Sequence, residues 1–241
     1  MKVALLGLGE AGARLARDLE ARGIEVQGYD PRVTPDGAPE AAVTDADVVL
    51  SLVTAAAARS AVDAARPALK DGAVYADLNT AAPSLKRELA SRVGRFADVA
   101  LLGPVPARGL ETPTLASGSG AAAFAELLTP LGMPVDVVSA TPGDAAALKL
   151  LRSGFMKGVA AAAVESMEAA ESAGHAEWLR AQLAEVIGEP LLDRFLTGSS
   201  AHAARRAEEM DASAELLREL GVEPRMADAA AQLLRRVDAH G

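Results

Sequence analysis

The sequence predicts an α/β fold in which a doubly wound parallel sheet is followed by an all-helical domain. Two observations support this prediction. Up to about residue 141, apolar runs typical of buried strands alternate with segments of helical period. From Gly143 onward the strand signals stop, and the pattern stays helical almost to the C-terminus. We therefore expect one domain at 1–141 and a second at 142–241.

The first strand, turn and helix carry a glycine-rich motif. An apolar run at 3–6 precedes it, and a segment of helical period at 11–22 follows. In a Gly-x-Gly-x-x-Gly motif the first glycine allows a tight turn, the second lets a pyrophosphate approach, and the third lets the helix pack closely. Backbone N–H groups at a helix N-terminus also bind phosphate. The sequence therefore predicts a Rossmann-type dinucleotide site formed by Gly7, Leu8, Gly9, Glu10, Ala11 and Gly12.

The second predicted strand, at 24–30, ends on a carboxylate. Asp30 follows Gly12 at about the distance expected for the acid that binds the adenosine ribose. A carboxylate there repels a 2′-phosphate, so Asp30 slightly favours NAD over NADP. Arg32 weakens this preference because its guanidinium could pair with such a phosphate. The alternative is that Asp30 only caps the turn before Pro31.

The other predicted elements follow in chain order. A polar connection spans 31–39, and after it come strands at 47–53, 73–78, 97–102, 114–116 and 134–138. Between them, helices are predicted at 55–68, 83–93 and 120–131. Pro83 suits the first position of its helix, where a missing N–H costs nothing. The second half predicts helices at 144–172, 176–187, 190–197, 200–219 and 225–238, separated by Gly174, Gly188, Gly198 and Gly221.

Composition excludes several classes of function. The 24 basic and 33 acidic residues give a net charge of −9 without a basic block, which argues against nucleic acid and anionic membranes as partners. Cysteine is absent and the three histidines (175, 202 and 240) are far apart, so no metal site is expected. No apolar stretch reaches the roughly 20 residues of a membrane span, and no secretory signal is evident. We expect a soluble cytoplasmic protein.

The long predicted helix carries a polar stripe. Lys149, Ser153 and Lys157 are spaced by four residues and share one face. This stripe could simply be the solvent-facing side of the helix. Alternatively, because the helix begins where the nucleotide-binding domain ends, Lys149 could act in a cleft as general acid or base on a hydroxyl or carbonyl group.

In layout and motifs the whole chain resembles the β-hydroxyacid dehydrogenase superfamily. That superfamily includes 3-hydroxyisobutyrate and 6-phosphogluconate dehydrogenases, and imine reductases arose within it. The turn at 7–12 matches its dinucleotide motif, and Asp77-Leu78-Asn79-Thr80 is similar to its Asp-x-Ser-Thr segment beside nicotinamide and substrate. The segment 143–149 resembles its Gly-x-x-x-x-x-Lys segment, which ends in the catalytic lysine.

The chain departs from the superfamily at two places. Pro106-Ala107-Arg108 stands where relatives have a Ser-Gly-Gly substrate-carboxylate cradle, and Arg108 could replace that cradle with a longer-reaching anion contact. Ser153 stands where relatives have an asparagine, which shortens the hydrogen-bonding arm. Lys149 is retained, which favours alcohol or carbonyl chemistry, since imine-reducing relatives commonly replace this lysine.

The resemblance implies an NAD(P)-dependent oxidoreductase acting on a small hydroxy acid or carbonyl substrate. Lys149 would be the general acid or base and Ser153 would orient the reacting oxygen. Val53, Thr54 and Asn79 would join the glycine turn, Asp30 and Arg32 around the cofactor. The expected substrate contacts are Asn79, Thr80, Arg108, Lys157 and His202. The alternatives are an imine or ketone reductase on the same fold and a non-catalytic NAD(P)-binding sensor or scaffold.

Two expectations concern the helical half. His202 and Arg205 could reach the substrate. Alternatively, they begin a helix capped by Ser199 or Ser200, with the arginines paired to Glu208 and Glu209. An alanine-rich helical domain with few aromatic residues also has little to bury alone. We therefore expect a homodimer through this domain, with Trp178 and Phe195 as core or interface anchors.

Overall fold

A computed structural model describes residues 1–239, apart from the side chains of residues 200 and 201. The chain divides into two compact units, Met1–Lys149 and Leu150–Gly241. The expected boundary at 141/142 precedes the long helix Asp144–Ser172, whereas the compact units divide inside it. None of the described helices contains an apolar stretch of the length that a membrane-spanning helix needs.

The first unit is built on a seven-stranded sheet with the order β2-β1-β3-β4-β5-β6-β7. The strands are β1 (Lys2–Leu6), β2 (Glu25–Tyr29), β3 (Val48–Ser51), β4 (Val74–Asp77), β5 (Phe96–Leu101), β6 (Thr114–Ser117) and β7 (Val135–Ser139). Strands β3 and β4 are buried at every position, as expected for strands covered on both faces. The predicted α/β class and doubly wound sheet are confirmed.

One pair of strands corrects the expectation of a fully parallel sheet. Strands β5 and β6 run antiparallel, with Leu101 opposite Thr114, whereas the other neighbouring pairs are parallel. The connection between them begins and ends at the same end of the sheet, because its two flanking residues are paired. It contains only a short helix and a 3₁₀ turn, so the chain returns without a crossover.

Helices cover both faces of this sheet. They are α1 (Glu10–Glu20), α2 (Pro39–Val43), α3 (Ala58–Ala65), α4 (Pro83–Ala90), α5 (Val105–Arg108) and α6 (Ala121–Leu128). One apolar core forms around Leu5, Leu50 and Phe124, and the other around Tyr75 and Phe96. The predicted helix at 55–68 is α3 flanked by two 3₁₀ turns, and the short helices α2 and α5 were not predicted.

The helix that joins the units is α7 (Asp144–Ser172), and α8 (Ala176–Ile187), α9 (Glu189–Ala201), α10 (Ala203–Glu219) and α11 (Arg225–Asp238) follow in the second unit. Alanines and Met210 form much of the core between α10 and α11. The expected break at Gly198 is wrong, because α9 continues through it and the chain bends at His202. A Cβ on Gly198 would collide with the guanidinium of Arg206, so this glycine makes room for a side chain.

Candidate functional site

The glycine turn between β1 and α1 has three glycines with different structural requirements. Gly7 has a left-handed φ of 97°, and a Cβ there would collide with the Leu52 carbonyl oxygen. A Cβ on Gly12 would collide with the Gly7 carbonyl oxygen. A Cβ on Gly9 would meet nothing within 4 Å, so the space above the middle of the turn is open. Packing therefore requires Gly7 and Gly12, whereas Gly9 leaves room for a ligand.

Helix α1 begins directly at this opening. Gly9 is its N-cap residue and supplies no side-chain cap. The N-cap residue therefore offers no side-chain acceptor to the N–H groups of the first turn. These groups form the positive end of the helix dipole. Glu10 and Ala11 belong to this first turn, and backbone N–H groups at such a position suit an anionic phosphate.

The Asp30 carboxylate holds the turn from the end of β2. Its Oδ2 accepts a hydrogen bond from the Leu8 N–H at 2.9 Å, and its Oδ1 accepts one from the Arg32 N–H at 2.9 Å. The expected capping role of Asp30 is therefore present in the structure. Each carboxylate oxygen has a second acceptor position, so capping leaves the carboxylate able to accept a ribose hydroxyl.

A cavity of about 530 Å³ opens beside the turn. Its volume lies within the roughly 300–1,000 Å³ range of small-molecule sites. Six of the predicted cofactor residues line it together: Gly7, Gly9, Asp30, Arg32, Val53 and Thr54. Other lining residues, among them Pro39 in α2 and Ser60 and Ala64 in α3, were missed because small and apolar residues on helices carry no motif.

A second group of predicted residues meets in the first unit at the end of β4. The Lys149 ammonium donates a hydrogen bond to Thr80 Oγ1 at 2.7 Å. Asn79 is buried, and its Nδ2 donates to Asp77 Oδ2 at 2.7 Å. Among the described residues, Asn79 Oδ1 has no hydrogen-bond partner. This group therefore combines a cation, a hydroxyl and an amide oxygen that can still accept a hydrogen bond.

The start of α7 determines where Lys149 lies. Gly143 has a left-handed φ of 101°, and a Cβ there would lie 3.0 Å from the Pro83 carbonyl oxygen. The chain can thus turn into α7 directly against the first residue of α4. Asp144 then opens the helix and accepts a hydrogen bond from Ser139 Oγ at 2.6 Å. The glycine of the Gly-x-x-x-x-x-Lys segment is therefore required by backbone conformation and close packing.

The segment that replaces the expected Ser-Gly-Gly cradle is helix α5. It is fixed to α1, because Arg14 Nη1 donates to the Pro106 carbonyl oxygen at 2.8 Å and Asp18 Oδ2 accepts from the Leu110 N–H at 3.0 Å. Arg108 lies at the end of α5 with an exposed side chain. Within residues 1–239 no ion pair joins this side chain to a carboxylate.

Ser153 and Lys157 lie in the second unit and contact α10. Lys157 Nζ lies 2.5 Å from Glu209 Oε2, with both side chains mostly buried, and it also donates to Ser153 Oγ. The solvent-face interpretation is therefore wrong for these two residues. Glu209 also pairs with Arg205 at 3.3 Å, as the helical spacing predicted. The role of Glu209 as the centre of this group could not be inferred from spacing along a single helix.

His202 is the exposed residue between α9 and α10, and its side chain makes no capping hydrogen bond. The expected cap at Ser199 is wrong, because α10 begins only at Ala203. Ser199 is instead buried within α9, where its hydroxyl donates to the Phe195 carbonyl oxygen at 2.7 Å and accepts from Arg206 Nη1 at 2.9 Å. Burial lowers the pKa of Arg206. The Ser200 side chain and His240 lie outside the described residues.

The part of the chain that the structure describes contains no group of three or more His, Cys, Asp or Glu residues that could hold a metal ion. Phe195 is buried, whereas the Trp178 side chain is 66% exposed. Phe195 is therefore a core residue, and Trp178 lies on the surface of the second unit.

Comparisons with known proteins match both halves of the chain. Residues 2–105 match the NAD binding domain of 6-phosphogluconate dehydrogenase, and residues 170–237 match a domain of unknown function, DUF1932. An uncharacterised 28.5 kDa protein in the 7S RNA 5′ region of Methanothermus fervidus is 30% identical over 174 residues. The match covers 70% of this chain and 66% of that protein, slightly less than two thirds of its length.

Solved structures extend the similarity over the full chain. A conserved hypothetical protein from Sinorhizobium meliloti 1021 is 32% identical with a TM-score of 0.80, covering 98% of this chain and 87% of that one. A conserved protein of unknown function, described as structurally similar to 3-hydroxyacid dehydrogenases, is 29% identical with a TM-score of 0.79. The match covers 99% of this chain and 97% of that one. A 3-hydroxyisobutyrate dehydrogenase from Salmonella typhimurium shares the fold at 18% identity, with a TM-score of 0.80 and coverage of 100% and 95%.

Proposed function

Because the chain belongs to the superfamily of β-hydroxyacid and 6-phosphogluconate dehydrogenases, we propose that it is an NAD(P)-dependent oxidoreductase. It transfers a hydride between nicotinamide and a small hydroxy acid or carbonyl compound. The observation that carries this proposal is the 2.7 Å hydrogen bond from Lys149 to Thr80, which lies in the same compact unit as the dinucleotide cavity.

The residues of the first unit fit a dinucleotide. The open space above Gly9 and the uncapped start of α1 suit the pyrophosphate, and Asp30 and Arg32 line the cavity that suits the adenosine. When bound, the nicotinamide ring would supply or accept the hydride. We further propose that NAD is preferred over NADP, because the Asp30 carboxylate repels a 2′-phosphate. Arg32 limits the size of this preference.

Lys149 supplies the proton transfer in this proposal. Its ammonium can donate a proton to a carbonyl oxygen that is being reduced, and its amine can accept one from a hydroxyl that is being oxidised. Thr80 Oγ1 accepts a hydrogen bond from Lys149 Nζ and so restricts the position of that nitrogen. Asn79 Oδ1 can accept a hydrogen bond from a bound amide or hydroxyl group. The proposal also includes Arg108, Lys157 and His202 as substrate contacts and Ser153 as the group that orients the reacting oxygen.

The test replaces Lys149 by methionine, which keeps most of the length of the side chain and removes its charge. We expect Lys149→Met to lose at least 100-fold in turnover, within the usual contribution of general acid–base catalysis of about 10²–10⁴-fold, while NADH affinity is retained. The matched control is Lys70→Met, which removes an exposed lysine paired with Asp47. Turnover of Lys149→Met equal to that of Lys70→Met would refute the assignment.

Substrates are screened with NADH and NADPH on a panel of hydroxy acids, ketones and cyclic imines. Turnover of hydroxy acids or their keto forms supports the proposal. Turnover restricted to imines would favour an imine reductase on the same fold. Cofactor binding without turnover of any compound on the panel would instead favour a non-catalytic NAD(P)-binding protein.

We also propose a homodimer through the helical unit. This unit has exposed apolar side chains that a second copy could cover. The exposed fraction is 70% for Phe155, 66% for Trp178 and 81% for Val186. Sizing chromatography with light scattering should give twice the mass of one chain. A monomer at micromolar concentration would refute this proposal.

A further inference from the structure

We propose that Lys86, Asp98 and Ser117 are positioning residues for Lys149. This inference rests on the function proposed above, because it concerns the lysine assigned to proton transfer. It is carried by a continuous set of buried hydrogen bonds and ion pairs within the first unit. These contacts connect the start of α7 with the loop that follows β4.

The centre of the set is a buried charge cluster, formed by Asp77 at the end of β4, Lys86 in α4 and Asp98 in β5. Lys86 Nζ lies 2.5 Å from Asp77 Oδ1 and 3.2 Å from Asp98 Oδ1, and it donates to the Asp77 carbonyl oxygen at 2.9 Å. All three side chains are 0% exposed. Buried charges are tolerated only when well paired, so the partners hold one another in place.

The cluster caps the first turn of α7. Asp98 Oδ2 accepts hydrogen bonds from the Ala146 N–H at 2.9 Å and from Ser117 Oγ at 3.1 Å. Ser117 Oγ in turn accepts from the Ala145 N–H at 3.0 Å. These N–H groups are thus satisfied by side chains of β5 and β6, which are remote in sequence. Capping of this kind fixes the position of a helix terminus on the sheet.

The same cluster also holds the partner of Lys149. Asp77 accepts from Asn79 Nδ2 at 2.7 Å and from the Asn79 N–H at 3.3 Å, which fixes the residue next to Thr80. The hydrogen bond from Lys149 to Thr80 then closes a ring of contacts through β4, α4, β5 and α7. Two aspartates and one lysine leave a net charge of −1, which faces the helix N-terminus with its roughly +0.5 charge.

The residues of this ring have different roles in the proposed site. Lys149 exchanges the proton, whereas the buried cluster and Ser117 determine where its ammonium lies relative to Thr80. A displacement of about 1 Å of a catalytic group can cost about 100-fold in rate, so such support is functionally significant. Ser117 does not line the dinucleotide cavity, and its loss should leave cofactor affinity unchanged.

The test compares two serine-to-alanine variants at fully buried positions. Ser117→Ala removes a hydroxyl that joins Asp98 to α7. The control, Ser51→Ala, removes a hydroxyl with no hydrogen-bond partner among the described residues. We expect Ser117→Ala to accelerate amide hydrogen exchange at Ala145 and Ala146 about tenfold, equivalent to about 1.4 kcal/mol. Labelling of Lys149 by acetic anhydride, followed by mass spectrometry, should become at least about threefold faster, and Ser51→Ala should behave as wild type.

Two further variants make the result specific. Ser117→Thr keeps the hydroxyl and should restore wild-type exchange and labelling. Asp98→Asn keeps the shape of the side chain but removes its charge, and it should accelerate both. Unchanged labelling of Lys149 in both Ser117→Ala and Asp98→Asn overturns the inference. Failure of the proposed function would be recognised separately, because the wild-type protein would then show no turnover. Exchange and labelling are measured without substrate and do not depend on turnover.

Discussion

Replacing Lys86 by methionine isolates the contribution of the buried charge cluster to stability. Methionine fills most of the same volume, but it leaves the Asp77 and Asp98 carboxylates buried without their cation. Removing one partner of a buried ion pair typically costs about 3–5 kcal/mol. Two carboxylates share this lysine, so we expect the upper half of that range, about 4–5 kcal/mol. At about 2–4 °C per kcal/mol for a unit of this size, the loss corresponds to a fall in Tm of about 8–20 °C.

The pH range follows from the charge of Lys86. Burial by itself would lower the pKa of Lys86, but the charges of Asp77 and Asp98 outweigh it and raise the pKa above its ordinary value of 10.5. A raised lysine pKa contributes stability that is complete below the unfolded-state value and is lost as the pH rises through the folded-state value. The difference between wild type and Lys86→Met should therefore be complete at neutral pH and shrink as the pH rises through the folded-state pKa of Lys86 in alkaline solution.

The assay is urea unfolding at neutral pH, followed by circular dichroism. Lys70→Met is the matched control, because the pair between Lys70 and Asp47 is more than one third exposed on both sides and is expected to contribute less than about 1 kcal/mol. A double variant, Lys86→Met with Asp98→Asn, should recover part of the loss. If the free energy of unfolding of Lys86→Met lies within about 1 kcal/mol of the wild-type value, Asp77 and Asp98 are not buried carboxylates that depend on the charge of Lys86.

Three other predictions concern the turn, the cofactor and the surface. Gly9→Ala should keep the unfolding midpoint but weaken NADH binding, measured by fluorescence titration, whereas Gly12→Ala should lower the midpoint because its Cβ meets the Gly7 carbonyl oxygen. Arg32→Ala should weaken NADPH binding and leave NADH binding unchanged, and equal losses for both would argue against a 2′-phosphate contact. The Arg59 guanidinium, 2.6 Å away, lowers the pKa of Glu88 from 4.5 to about 2. Any excess Tm of wild type over Glu88→Gln should therefore be present above pH 4.5 and vanish as the pH falls to about 2, and a constant difference would contradict this.

Local patterns predicted those parts of the fold that depend on neighbouring residues. The turn at 7–12 and the helix at 144–172 could be predicted because glycine spacing and helical period are properties of short segments. Strand signals occur only in the first part of the chain, and this was sufficient to predict the α/β class and the helical second part. Six of the predicted cofactor residues line one cavity because successive parallel strands end at the same edge of the sheet.

Contacts between distant segments could not be predicted in this way. Lys86 lies in a helix rich in charged residues and resembles a solvent-exposed lysine, and only the packing of α4 onto β4 and β5 buries it. The antiparallel pairing of β5 and β6 depends on the path of their connection, which periodicity does not encode. Glu209, on another helix, is the partner of Ser153 and Lys157, and the spacing along α7 gave no indication of it. In each case the partner lies too far along the chain for a spacing rule.

The most direct test of the proposed function is deuteride transfer. NADH and NADPH deuterated at nicotinamide C4 are incubated with the keto acid or ketone that the panel selects, and the product is examined by mass spectrometry. We expect wild type and Lys70→Met to transfer the label to the product carbon, whereas Lys149→Met should bind the cofactor and transfer at least 100-fold less. Equal transfer by Lys149→Met and wild type, or no transfer by wild type to any compound, would contradict it.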